Sequence, residues 1–307
     1  MMKKVDKQNG NVKYNDEEHL YWNDDGKFIS VTTLINRYEQ PFDEDFWSGY
    51  KALEKLLTKE QFKFEKPGLL QNQKINLPYM LDAYDFTEDE FNAIKQNILD
   101  EWQRSRIESC ERGTKIHSKM EHLFLDKKKT ELKRFGIGGK FDVNTNQSLE
   151  NLNKDLLDID KGVFPEYLVY RVSKDKKFRL AGQIDLLIKD GNDIYIIDYK
   201  TNKSIDEKSH FDNRTKKNKM MQYPLNNLMD CNKMHYTLQL STYAWMLQQI
   251  NPEFKIKRLC LIHFDHEGGE TEYELEYLKD DVERMCRDYK RQLVLEEKAR
   301  NRKPIEF

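Results

Sequence analysis

Long hydrophobic runs are missing from these 307 residues: none approaches the roughly 18 apolar residues a membrane span needs, and Met1-Met2-Lys3-Lys4 leads into polar residues without the apolar stretch of a signal peptide. The cytoplasm is the expected location. Cysteine is scarce. Cys110, Cys231, Cys260 and Cys286 stand far apart with no Cys-x-x-Cys pair, which argues against a zinc ribbon and gives no sign of an oxidising compartment. An excess of one charge is lacking too, since 52 basic and 54 acidic residues leave a formal net charge of -2. That excludes a globally basic nucleic-acid binder, so any surface for a polyanion has to be a segregated patch. No internal repeat is present. What the chain has is charge of both signs, 35% of its residues, and a mean hydropathy of -0.90. Its length allows a sizeable core in one large domain or two small ones.

Residues 181–202 hold two runs rich in Ile, Leu and Tyr on either side of Asp190-Gly191-Asn192, the turn chemistry of a tight hairpin. A Gly191-Asn192 loop sets Asp185 opposite Asp198, whereas an Asp190-Gly191 loop sets it opposite Ile196. In both registers Asp185, Asp198 and Lys200 share one face, because side chains alternate with period two; a three-residue loop would separate them. Facing carboxylates on adjacent buried strands repel. A divalent cation answers that repulsion: hard oxygen ligands suit Mg2+ or Mn2+, and a nearby lysine can hold or deprotonate a water. A structural ion pair between Lys200 and one aspartate is the other answer. Acid-x-Lys also occurs at Asp25, Asp126, Asp206, Glu253 and Asp288, but only Asp198-Tyr199-Lys200 ends an apolar strand hairpinned to another acid.

Residues 1–18 are polar and expected to fray, before a small hairpin about Asp24-Asp25-Gly26 and a short helix over 31–38 capped by Ser30. Residues 43–64 read as a helix with Phe46, Tyr50, Leu53 and Leu57 on one stripe, and 66–84 as a loop-rich connection. Thr87-Glu-Asp-Glu90 is a capping box that opens a helix toward Cys110, with Gly113 interrupting it before a second segment that ends near Leu125. A basic loop is expected at 127–140 and a short helix at 148–157. Strands follow at 163–172, 179–189 and 194–200, then a charged mobile loop at 203–221. A helix at 233–250, strands at 256–264 and 272–277 and an amphipathic helix from 279 to about 299 complete the pattern. The strand after the long helix should pair in parallel with the hairpin, giving an α/β protein whose mixed sheet is flanked by helices. Residues 1–110 read as an N-terminal hairpin and helical elaboration, and 111–307 as the core with its C-terminal helix.

Three further constellations bear on chemistry. His117 and Glu121 share one helix face, as do Gln239 and Tyr243 in a helix whose other positions are apolar. Together, His117, Gly182-Gln-Ile-Asp185, Asp198-Tyr-Lys200-Thr201 and Gln239-x-x-x-Tyr243 resemble the RecB-like branch of the PD-(D/E)XK nuclease superfamily, which includes phage recombination exonucleases and the mitochondrial genome maintenance exonuclease. Ile29-Ser-Val-Thr-Thr-Leu34 is similar to a segment that precedes the nuclease core in those members. The resemblance covers roughly residues 20–265 by pattern and order.

It implies a restriction-endonuclease-like core and a metal-dependent DNA exonuclease of phage-type recombination, repair or replication, placed in the host cytoplasm if phage-encoded. Asp185, Asp198, His117 and the carbonyl of Tyr199 would hold Mg2+ or Mn2+, Lys200 would position or activate the attacking water, and Gln239 and Tyr243 would support the site and contact DNA. Glu166, Glu121, Arg112 and Thr114 form a second group: Glu166 as a further acid, Glu121 as an orienter of His117, and Arg112 and Thr114 as a phosphate hold near a helix start. Iron-sulfur members carry closely spaced C-terminal cysteines, so no cluster is expected here. DNA, single-stranded or with free ends, would run along basic segments. These are 127–140, the run of Arg214, Lys216, Lys217 and Lys219, and Arg300 to Lys303, with Phe46, Trp47 and Tyr50 for stacking. Helices before residue 110 arching over the site would favour free ends. A structure-specific or restriction-like endonuclease and a non-catalytic DNA-binding recombination factor are the alternatives.

Overall fold

In the computed structural model, which describes residues 5, 7–125, 127–144, 156–212 and 216–300, the 190–193 turn closes as a two-residue loop. Asp193 pairs with Asp190 and Gly191 sits at φ +57°, a left-handed conformation that glycine adopts at no steric cost. The loop is therefore Gly191-Asn192, the first of the two registers. Numbering strands in chain order, β9 (Arg179–Asp190) and β10 (Asp193–Lys200) lie at the centre of an eight-stranded mixed sheet. On one side β9 pairs antiparallel with β8 (Lys161–Val172). On the other, β10 pairs in parallel with β13 (Lys255–Phe264), as the intervening helix requires. Beyond β13 comes β14 (Glu270–Leu275). At the opposite edge lie β7 (Ile137–Val143) and β6 (Lys129–Leu132), so the basic segment expected as a loop at 127–140 is an edge hairpin. The short helix expected at 148–157 falls mostly outside the described residues.

Both faces of this sheet are covered, which explains why β8 to β10 read as nearly continuous apolar runs. One face packs on α6 (Asn232–Ile250) and α7 (Lys279–Arg300), with Leu187, Ile194, Ile196 and Leu261 meeting Leu240, Ala244 and Met285. The other packs on the second part of α5 (Glu88–Leu125), where Ile116, Met120 and Phe124 meet Leu186, Ile188 and Ile197. No described helix is long and apolar enough to cross a membrane.

The chain divides into two compact units, residues 1–40 with 113–307 and residues 41–112. The N-terminal hairpins thus belong to the unit that holds the sheet. Residues expected to fray instead form β1 (Lys7–Asn9) and β2 (Val12–Asn15), joined by β3 (Leu20–Asn23) and β4 (Gly26–Lys27). Val12, Tyr14 and Tyr21 are buried in the main core, and those apolar side chains outweigh the polar average of the segment. Ser30 caps α1 (Val31–Asn36), its hydroxyl accepting from the Thr33 amide at 3.0 Å, while Ile29 and Ser30 run as β5 beside Leu180 and Ala181.

The second unit is helical. The helix expected over 43–64 is two: α2 (Glu44–Leu56), and α3 (Lys59–Asn72), which Thr58 and Gln61 open with a capping box. The connection expected to be loop-rich holds the rest of α3 and α4 (Leu77–Ala83). Phe46 and Tyr50 are 4% and 5% exposed in this unit's own core and Trp47 is half-buried against them, so Phe46 and Tyr50 have no free face for a base. Gly113 does not interrupt α5, which runs unbroken; a single glycine in a helix costs only about 1 kcal/mol.

Candidate active site

Three acids lie in one rank across three neighbouring strands. Pro165 pairs with Leu186 and Tyr167 with Ile184, so Glu166 stands opposite Asp185; the next position beyond the Ile197–Leu186 pair sets Asp198 beside Asp185 on the other side. The ladder gives way along this rank. Glu166 sits at φ +54°, a conformation few residues other than glycine adopt, and the β9–β10 pairing ends at Ile197. Past that point the Asp185 carboxylate substitutes for the missing strand partner, its Oδ2 accepting from the Tyr199 amide at 2.7 Å. Glu166, Asp185 and Asp198 are 6%, 8% and 1% exposed.

Basic and polar groups reach this rank from four directions. From α5, His117 Nδ1 lies 3.5 Å from Asp185 and 3.9 Å from Glu166, and its Nε2 meets the Tyr199 carbonyl at 3.1 Å. In a neutral ring Nε2 then carries the proton and Nδ1 faces the acids with its lone pair. From β1, Lys7 pairs with Glu166 at 3.1 Å. From β10, the Lys200 ammonium lies 2.5 Å from Asp198 Oδ2. From α6, Gln239 donates to Asp198 Oδ1 at 3.3 Å and to the Tyr243 hydroxyl at 3.0 Å.

The charges shift one another strongly. Burial, and after it the charge of Asp198, push the Asp185 carboxyl up to about 7. Asp185 in turn raises His117 to about 9 against the opposing effect of burial. Burial works to lower Lys200, but Asp198 and Asp185 outweigh it and hold the ammonium above its ordinary range. For Glu166 burial works upward, and His117 and Lys7 beside it prevail, holding it low. Lys7, Lys200 and a protonated His117 thus set positive charge against the carboxyl groups of Glu166, Asp185 and Asp198.

A divalent cation fits this donor set. One atom each from His117, Glu166 and Asp185 lies within 4.8 Å of the others, and ligands about 2.1 Å from Mg2+ sit at most about 4.2 Å apart, a few tenths of an ångström closer. Two carboxylate oxygens with one imidazole make a donor set for a divalent metal. This set differs from the one expected: Glu166 stands inside it, while Asp198 is engaged by Lys200 and Gln239 beside it. The Tyr199 carbonyl faces His117 Nε2 and so orients the ring.

Other expected residues fall less close. Tyr243 is buried beneath Gly182 and Gln239 is buried beside it, so both can brace the site but neither offers a face to DNA. Glu121 is half-buried, raised by its burial and sensing Lys7 and Glu166. Arg112 and Thr114 lie inside α5, where the amides are used within the helix, so the helix start invoked for holding phosphate does not exist. Lys216 and Lys217 are exposed on the small β11 (Phe211–Asp212) and β12 (Lys217–Asn218) hairpin, Lys219 pairs with Asp230 at 3.1 Å, and Arg214 lies outside the described residues. Within 127–140, Lys129, Lys133 and Arg134 pair with Asp142, Glu131 and Glu270. Arg300 ends α7, and residues 301–303 lie outside the described residues. Sequence reasoning passed over Lys7 and Tyr236. Nothing local marks Lys7, whereas Tyr236 stands three residues before Gln239, on the same helix face.

No curated protein matches this chain. Among solved structures, the crystal structure of SSO0001 matches at 17% identity with a TM-score of 0.27, over 46% of this chain and 53% of that one. The chain therefore spans about half the length of that structure. A family match is far more extensive: the PD-(D/E)XK nuclease superfamily, a group of metal-dependent nucleases acting on nucleic acid, matches residues 90–307, which carry nearly all of α5, the seven strands of the eight-stranded sheet other than β5, and every acid of the rank. With that match over more than half its length, the chain belongs to the PD-(D/E)XK nuclease superfamily.

Proposed function

We propose that the protein is a Mg2+- or Mn2+-dependent exodeoxyribonuclease of the RecB-like branch, acting at free DNA ends in phage-type recombination, repair or replication. The observation that carries this reading is the convergence of His117, Glu166 and Asp185 beside the Asp198–Lys200 pair. His117 Nδ1, Glu166 and Asp185 would hold the cation. Bound there, a divalent cation supplies positive charge that stabilises a phosphodiester's developing negative charge and lowers the pKa of water. His117 is kept in register by the Tyr199 carbonyl, and Asp185 by the Tyr199 amide. Lys200, anchored on Asp198, presents an ammonium that orients the attacking water and neutralises a phosphate oxygen. Gln239 and Tyr243 fix Asp198 from behind. Exposed Lys216 and Lys217 would meet the strand's phosphates.

The test is incubation of the purified protein with 5'- and 3'-labelled single and double strands in Mg2+, Mn2+ or EDTA. Cation-dependent release of nucleotides, abolished by Lys200→Ala with the fold retained, is expected. Rapid cutting of covalently closed single-stranded circles would instead assign an endonuclease, and DNA binding without any release a non-catalytic factor.

A further inference from the structure

Among the described residues, the Asp198 carboxylate is one of two groups that grip the Lys200 ammonium. The other is the ring of Tyr236, whose centroid lies 4.9 Å from Nζ. That ring is itself fixed: its hydroxyl donates to Asn202 Oδ1 at 2.6 Å, and the Asn202 carbonyl meets His263 Nε2 at 2.6 Å. His263 is buried on β13 as the register partner of Lys200. On α6, Tyr236, Gln239 and Tyr243 form one stripe at spacings of three and four, so a single helix face braces Lys200, Asp198 and β9 in succession. A cation held over an aromatic face gains direction without a competing negative charge.

Building on the role assigned above to Lys200, we propose that Tyr236 is a positioning residue for it, latched in place by Asn202. The ring keeps the ammonium aimed at the scissile phosphate, and the latch keeps the ring from turning.

The test compares Tyr236→Leu, Tyr236→Phe and Asn202→Ala with the unaltered protein, using kinetics on a labelled DNA end in Mg2+ and NMR of 13C-lysine-labelled, metal-free protein. Lys200→Arg assigns the Lys200 ε-methylene signal. An upfield ring-current shift of that signal is expected, lost in Tyr236→Leu and kept in Tyr236→Phe. In kinetics, Tyr236→Leu should lower kcat about 10-fold with KM nearly unchanged, the size of a partly desolvated cation–π contact. Tyr236→Phe should restore most of that loss. Asn202 is exposed, so Asn202→Ala spares the fold; it should lower kcat about 2- to 3-fold by freeing the ring, as the loss of one modest hydrogen bond does. An unshifted Lys200 signal, or a Tyr236→Leu protein with normal kcat, overturns the proposal while leaving the nuclease reading intact. An unaltered protein that releases no nucleotide removes that reading, and the positioning role with it.

Discussion

Gly182 on β9 carries no functional group, yet replacing it by alanine should damage both stability and catalysis. A methyl group there would stand 2.5 Å from Tyr243 Cε1, 3.1 Å from Val31 Cγ2 and 3.3 Å from Tyr243 Cζ. The first contact is about 1 Å too short, and Tyr243 is buried in the main core with no space to yield into. Overpacking of this kind costs about 1–3 kcal/mol. For a unit of this size that is a fall in Tm of about 2–4 °C for each kcal/mol. The ring cannot move alone, because its hydroxyl accepts from Gln239, which also donates to Asp198. A displacement of about 1 Å carried to Asp198 can lower turnover by up to about 100-fold. Calorimetry and single-turnover cleavage of a labelled strand read the two effects. A steric cause also fixes the cycle with Tyr243→Leu: the double variant should be no less stable than Tyr243→Leu alone, since the obstructing ring is gone. A Gly182→Ala protein within about 0.5 kcal/mol of the parent, or strictly additive losses in the cycle, would refute the reasoning.

Glu166→Gln keeps the shape of the side chain but removes its charge, and should raise the Mg2+ concentration for half-maximal cleavage at least about 10-fold, as read from a metal titration of rate. Thr58→Ala removes the hydroxyl that accepts the Gln61 amide, and should loosen α3 by about 1 kcal/mol; faster hydrogen exchange within Lys59–Asn72, with cleavage unchanged, is the expected reading.

The centre of the sheet was legible because its signals are local. The 190–192 turn narrowed the hairpin to two registers, of which the structure takes the Gly191-Asn192 one, and the apolar runs of β8 to β10 declare burial on both faces. The order of helix and strand made the β10–β13 pairing parallel before any contact was known. Glu166 was weighed only as an extra acid, because a strand position says nothing of a φ of +54° or of facing Asp185 across the ladder. Lys7 was beyond reach for the same reason, as it depends on a contact between residues 159 apart in the chain. The polar N-terminus misled by its average composition: the alternation of Val12 and Tyr14, with Tyr21 after them, makes it a strand pair that closes the main core. At residue 113, glycine's modest helical cost proved smaller than the stabilisation of the packed helix around it.

Lys7 and a divalent cation compete for the same carboxylate, and that competition has a measurable sign. Lys7 Nζ lies 3.1 Å from Glu166, with the lysine side chain 12% exposed. A cation shared by Glu166, Asp185 and His117 would sit a few ångströms from that ammonium, and like charges about 4 Å apart repel by about 4 kcal/mol per unit charge at an effective dielectric of 20. Part of that repulsion is relieved when the lysine swings toward solvent, and the movement forfeits its pair with Glu166. Lys7→Met keeps most of the aliphatic stem and removes the charge. Without metal, the variant leaves three buried acids facing only His117 and Lys200, so it should melt below the parent. With metal, it no longer has a cation to displace, so Mn2+ should bind about 10-fold more tightly, a gain of about 1.4 kcal/mol. Thermal melts across a Mn2+ series separate the two effects, because stabilisation by a ligand grows as RT ln(1 + [L]/Kd). The parent and variant curves should converge as Mn2+ rises. If Lys7→Met instead binds Mn2+ more weakly, Lys7 holds Glu166 in its left-handed conformation for the metal, and the competition argued here is absent.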